Sequence, residues 1–140
     1  MKITTAAMAL IIALPATGAL ATITARSDNP EPRGWSAVAG MDPRAVREMA
    51  RTLPPSAEAV EDQPWCDMDA EVEASLKQDF DETKIATNGR DTALWGSDLM
   101  GTWTVVLERP DQTSCVIASG IGFSGAANPA AYLTKVGLNG

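Results

Sequence analysis

The sequence predicts an α+β fold: one amphipathic helix packed on a four-stranded antiparallel meander, entered through a flexible N-terminal arm. Three observations carry that prediction. Met68, Val72, Leu76 and Phe80 recur at every fourth position, the spacing of an apolar stripe along one side of a helix. Downstream the pattern changes to short runs dense in β-branched and aromatic residues, separated by turn dipeptides, which is how antiparallel strands read. Upstream, Pro30, Pro32, Pro43, Pro54, Pro55 and Pro64 crowd a stretch whose only aromatic residue is Trp35, a composition that buries little surface by itself.

Before the arm, residues 1–21 have the pattern of a removable export signal. Lys2 supplies a positive start, residues 3–14 are almost entirely apolar, Pro15 and Gly18 break the helix, and Ala19-Leu20-Ala21 fits a small-x-small cleavage site. Ile23-Thr24-Ala25 is a second triplet with a bulky first member. Cleavage after Ala21 leaves about 119 residues, enough for one modest domain. The full chain carries a formal charge of −7, and losing Lys2 makes it −8. Such an acidic surface repels nucleic-acid phosphates and anionic headgroups. No apolar run after the signal reaches the roughly 20 residues of a membrane span, so a soluble mature chain is expected, periplasmic or secreted.

The export signal decides how Cys66 and Cys115 are read. An even pair in an exported chain points to a disulfide, which would close a loop of about 50 residues and stabilise by about 4 kcal/mol in the chain-entropy model. Free thiols are the alternative. A redox role would call for a Cys-x-x-Cys spacing or an adjacent basic residue, and neither is present.

The elements follow in order. Residues 22–64 form the arm, with a short helix over 43–53: Asp42 as N-cap, Pro43 at the first helical position and Pro54-Pro55 as the stop. Val46, Met49, Ala50 and Leu53 share one face of it. The domain proper spans 65–123 and opens with the helix over 67–80, whose Asp67, Asp69, Glu71 and Glu73 sit where the positive end of the helix dipole favours them. Strands over 83–87 and 91–95 flank Asn88-Gly89, a dipeptide suited to the positive φ of a tight hairpin. A third strand covers 102–108, placing Trp103, Val105 and Leu107 on one face and Thr102, Thr104 and Val106 on the other. Arg109-Pro110-Asp111-Gln112 turns into a fourth strand over 114–119, where Cys115, Ile117 and Ser119 share a face. In the tail, 124–140, Asn128 caps a short helix with Pro129 at its first position and Gly137 at its end.

Cys66, Phe80-Asp81-Glu82, Leu94-Trp95, the run Gly101-Thr102-Trp103-Thr104-Val105-Val106, Pro110-Asp111 and the run from Cys115 through Ala118-Ser119-Gly120 carry a resemblance. Over residues 65–123 the chain resembles a group of small, uncharacterised exported proteins of alphaproteobacteria. The resemblance implies an exported, disulfide-linked α+β module and brings no activity with it. Gln112 stands where that pattern leads one to expect a turn glycine, and the long arm lies outside it.

Candidate chemistry is bounded first by the absence of histidine, which removes Ser-His-Asp and Cys-His machinery and histidine-ligated metals. A serine-lysine dyad through Lys77, Lys84 or Lys135 has no local signature. Glu82, Asp91, Asp98 and Glu108 fall near strand ends, where two could face each other for glycosidase-type acid and base work, although turn chemistry explains acids there equally well. The alternating acids from Asp67 resemble a calcium loop, but the sixth position is Val72 where such a loop needs glycine. Trp95 and Trp103, with Trp65 nearby, could form an aromatic surface. Trp95, beside the Gly96-Ser97-Asp98 loop, is the one expected to be exposed, so Trp95 and Asp98 are the candidate binding residues. No catalytic residue, metal or cofactor is implied. Size, charge and missing catalytic groups favour a non-catalytic module that contacts an envelope protein or glycan through the arm helix and the loop at Trp95. The alternatives are a carboxylate-based hydrolase of cell-wall glycans and a structural envelope protein without a specific ligand.

Overall fold

A computed structural model describes residues 40–60, 62–89 and 91–138. The expected export signal and the expected arm up to residue 39 lie outside the described residues. Among the described residues eight elements follow one another: helix α1 (Pro43–Ala50), strand β1 (Cys66–Met68), helix α2 (Asp69–Phe80), strands β2 (Thr83–Asn88), β3 (Thr92–Ser97), β4 (Thr102–Glu108) and β5 (Thr113–Ile121), and helix α3 (Pro129–Lys135). The strands form one antiparallel sheet in the order β1-β5-β4-β3-β2. The mixed class is as expected; among the described residues the sheet has five strands in place of four, and the short helices expected in the arm and the tail accompany the main one as α1 and α3.

The fifth strand comes from the start of the region read as helix. Cys66, Asp67 and Met68 pair with Cys115, Ser114 and Thr113, and the helix begins only at Asp69. Val72, Leu76 and Phe80 are buried as the stripe requires, whereas Met68 is nearly half exposed. Cys66 and Cys115 face each other across the β1–β5 ladder and are joined by a disulfide. Three backbone pairs alone would hold so short an edge strand weakly, so the covalent bond fixes the register on which α2 depends.

Burial explains why the other two helices are needed. Every residue of β3 is buried, and β4 and the first seven residues of β5 are nearly so, which means both faces of the sheet are apolar and both must be covered. On one face α2 packs Val72 and Leu76 against Ala93, Trp95, Val106 and Val116, with Trp65 alongside. On the other, Val46 and Ala50 of α1 and Tyr132 and Leu133 of α3 pack against Leu94, Trp103, Val105, Leu107 and Ile117. Residues 43–50 are therefore part of a core layer and not of a free arm. Asp42 and Asn128 cap the two helices, accepting from Arg44 N at 2.9 Å and Ala130 N at 3.0 Å.

Two local departures follow from close packing. A β-bulge places Val116 opposite Val106 and Ala118 opposite Val105, so Ile117 is the extra residue and the alternation reverses after it. Ala118 joins Cys115 and Ile117 in the same core, and Ser119 pairs with Thr104 and does not share their face. Gly96 and Gly120 admit aromatic rings where a side chain would stand: a Cβ would lie 2.4 Å from the Phe123 ring at Gly96 and 2.5 Å from the Trp103 indole at Gly120.

Gln112, in the β4–β5 turn, has φ of 64°, a left-handed conformation that costs a non-glycine residue about 1–2 kcal/mol. Gln112→Gly should therefore stabilise the fold by up to about 1 kcal/mol after its greater unfolded-chain entropy is deducted. Urea denaturation measures this; an unchanged or lowered midpoint would show that the glutamine is not strained.

Candidate functional site

The residues expected to bind fall into two different roles. Trp95 is only 3 % exposed and belongs to the core beneath α2, with the Lys77 ammonium 5.7 Å from its ring centroid. Its expected exposure is overturned because β3 is covered on both faces. Trp65 lies in the same core, donating from Nε1 to Ser56 O at 2.9 Å, and Trp103 lies in the other, donating to Ile121 O at 3.2 Å. The sheet thus separates Trp103 from Trp65 and Trp95, and all three are buried, so they form no exposed platform. Asp98 does stand in the β3–β4 loop, but its Oδ1 accepts from Gly125 N at 2.7 Å, tying that loop to the segment before α3.

The loop nevertheless presents an apolar surface through residues that periodicity does not single out. Ser97 closes the turn by accepting from Met100 N on its hydroxyl and from Gly101 N on its carbonyl, at 3.0 and 2.8 Å. Gly101 O in turn accepts from Gly122 N at 2.7 Å and Phe123 N at 3.1 Å, binding the turn to the end of β5. Leu99, Met100 and Ile121 stand out from this braced end of the sheet, 81 %, 42 % and 64 % exposed. Their only sequence signal is a Leu-Met pair inside a turn.

The acidic candidates separate as well. Asp91 and Glu108 meet at one cleft, where the Glu108 N–H donates to Asp91 O; Glu82 and Asp98 are elsewhere. Burial alone would raise the Asp91 carboxyl, but hydrogen bonds from Arg51 and Thr92 and the charges of Arg47 and Arg51 outweigh it and hold its pKa below the usual range. Such a group is a poor proton donor at neutral pH. Glu108 is ion-paired with Lys84. The cleft has a volume of about 670 Å³, with Leu107 and Pro110 on its wall and Arg51, Arg109 and Asp111 completing the charged lining. The acids from Asp67 onward are dispersed: Asp67 accepts from Met68 N, Asp69 from the Ser114 hydroxyl, and Glu73 pairs with Lys77. Among the described residues no group of three carboxylates or thiols converges to hold a metal ion.

Compared with known proteins, the chain matches no protein family, no curated protein and no solved structure at a significant level.

Glu82 is the chemically unusual group. It follows the left-handed Asp81 that ends α2, its N–H donates to Leu76 O at 3.0 Å, and its side chain is fully buried. Oε1 accepts from the Thr104 hydroxyl at 3.2 Å, while Oε2 and the Thr102 hydroxyl have no well-aligned partner among the described residues. Burial pushes its pKa up, opposed only in part by the Thr102 and Thr104 hydroxyls. A raised folded-state pKa means that the group's contribution to stability is complete below the ordinary glutamate value of 4.5 and is lost as pH rises through the folded value. Glu82→Gln, which keeps the acceptor and adds a donor toward Thr102, should remove that loss. Its stability relative to the parent should climb above pH 4.5 by at most about 1.4 kcal/mol per pH unit and then level off. Denaturation at a series of pH values reads this difference, and parallel curves for the two proteins would contradict it.

Proposed function

We propose that the chain is an exported, non-catalytic module that holds another protein or an envelope component through the apolar end of its sheet. The observation that carries this reading is the exposure of Leu99, Met100 and Ile121 on the hydrogen-bonded backbone of the β3–β4 loop and the end of β5. A loop whose backbone is already held by hydrogen bonds has less order to gain when it is covered, and exposed apolar side chains are common at contact sites. The arm helix and Trp95, the contacts first expected, are spent on the two cores, so the contact moves a few residues along the same loop. The disulfide fits an oxidising compartment, and no described helix is long and apolar enough to cross a membrane.

The hydrolase reading draws support only from the meeting of Asp91 and Glu108. A glycosidase needs one carboxyl kept protonated beside another that is ionised. In the cleft Asp91 is held charged, and the carboxyl with a raised pKa, Glu82, is sealed from solvent.

A photo-crosslinking residue at position 99, in the full chain expressed in a Gram-negative host, tests the proposal, with exposed Glu58 as control position. A discrete saturable adduct at 99, lost in Ile121→Asp and absent at 58, is the expected result. Equal labelling at both positions, or none at 99, would favour the structural role without a ligand.

A further inference from the structure

A second site stands at the other end of the sheet. The register that pairs Ser97 with Thr102 and Thr92 with Leu107 puts the cleft about 17 Å along β4 from the apolar end. Three separate segments build it: the end of α1 with Arg51, the approach to β3 with Asp91, and the β4–β5 turn with Glu108, Arg109 and Asp111.

Its two arginines are fixed in different ways. The Arg109 side chain is 8 % exposed, and its Nε donates to the Thr113 hydroxyl at 2.7 Å while Nη1 donates to the carbonyls of Ala50 and Leu53 at the end of α1. Asp111 is 4.0 Å from Nε, too far for a hydrogen bond, so helix carbonyls supply most of what holds this charge. Nη2 makes no hydrogen bond with the described residues. Arg51 spends Nε on Glu48 and Nη1 on Asp91, at 3.2 and 3.1 Å, and its Nη2 is likewise unengaged. A guanidinium edge that is held in place and unengaged is suited to a carboxylate. On the same cleft Glu108 gives one oxygen to Lys84 and Asp111 gives one to Thr113, and each keeps its other oxygen free for a donor.

We propose that this cleft binds a small zwitterion, an amino acid or short peptide whose carboxylate meets Arg51 and Arg109 and whose ammonium group meets Glu108 and Asp111. A purely anionic ligand would face three carboxylates, on a chain of net charge −7. A purely cationic one would face two guanidinium groups. A sugar ring would find no aromatic side chain on the cleft wall to stack against. The volume of about 670 Å³ lies within the range of small-molecule sites. This binding is separate from the contact at Leu99, and either can exist without the other.

The test is an NMR titration of the isotopically labelled, disulfide-intact chain purified from the periplasm, with dialanine as probe and with its N-acetylated and C-amidated forms as single-charge comparators. Dialanine should shift amides around Arg51 and residues 107–111 saturably. Each comparator should bind about tenfold or more weakly, since it lacks one charge-assisted hydrogen bond. Arg51→Gln and Asp111→Asn should each weaken dialanine by a similar factor, with unperturbed shifts elsewhere showing that the fold is intact. No saturable shift up to the solubility of dialanine, shifts centred away from the cleft, or a comparator binding as tightly as the dipeptide would each overturn the assignment.

Discussion

The structure depends on the two-sided burial of its central strands. A strand that alternates apolar and polar residues can leave one face to water, but β4 and β5 contain the unbroken apolar runs Val105-Val106-Leu107 and Cys115-Val116-Ile117-Ala118. Both faces then require a cover. The helix before β2 can supply only one of them, so the other falls to α1 and α3, drawn from the two flanking segments. The disulfide sits where these demands meet. Cys66 and Cys115 lie in the α1 side of the core, the Cys115 sulfur is 3.5 Å from Ala50 O, and the strand that Cys66 anchors leads directly into α2 on the opposite side.

With the central strands covered on both faces, solvent meets the sheet along the edge strand β2 and at its two ends. At one end, hydrogen bonds among Ser97, Gly101, Gly122 and Phe123 brace the backbone around three exposed apolar side chains. At the other, the carbonyl end of α1 meets the β4–β5 turn, and Arg109 satisfies the helix carbonyls with a charge that is not fully compensated. Trp95, which from sequence is the expected contact residue, is consumed in packing, as are Trp65 and Trp103. Gly96 and Gly120 belong to the same economy, since each makes room for a ring that fills the α1 and α3 side.

What was legible in the sequence is what neighbouring residues determine. The stripe Val72-Leu76-Phe80, the alternation of Trp103, Val105 and Leu107, and the Asp-Pro and Asn-Pro helix starts all rest on local geometry, and all stand; the hairpin is present too, with Gly89 at positive φ, but Asn88 is the last paired residue of β2 and not part of the turn. β1 was not legible because three residues carry no period and their pairing partner is some fifty positions away. The bulge at Ile117 arises from fitting β5 to β4 and leaves no compositional trace. The docking of α1 had a visible cue, the face of Val46 and Ala50, but its target appears only once the sheet is known to be apolar on both sides. Of the candidate site, the sequence drew attention to Trp95, which belongs to a buried strand, and passed over Leu99, which stands exposed in the turn that follows. The cleft joins positions 51, 91 and 108–111, a proximity that no single segment announces.

Native-state hydrogen exchange of α1 tests the two-sided core most directly. If residues 43–50 are an integral layer, the amides of Val46 to Ala50 should exchange in the same slow class as those of β4, through opening of the whole domain. Exchange of α1 far faster than β4, with β4 fully protected, would mean that the helix detaches freely and that the sheet does not need it.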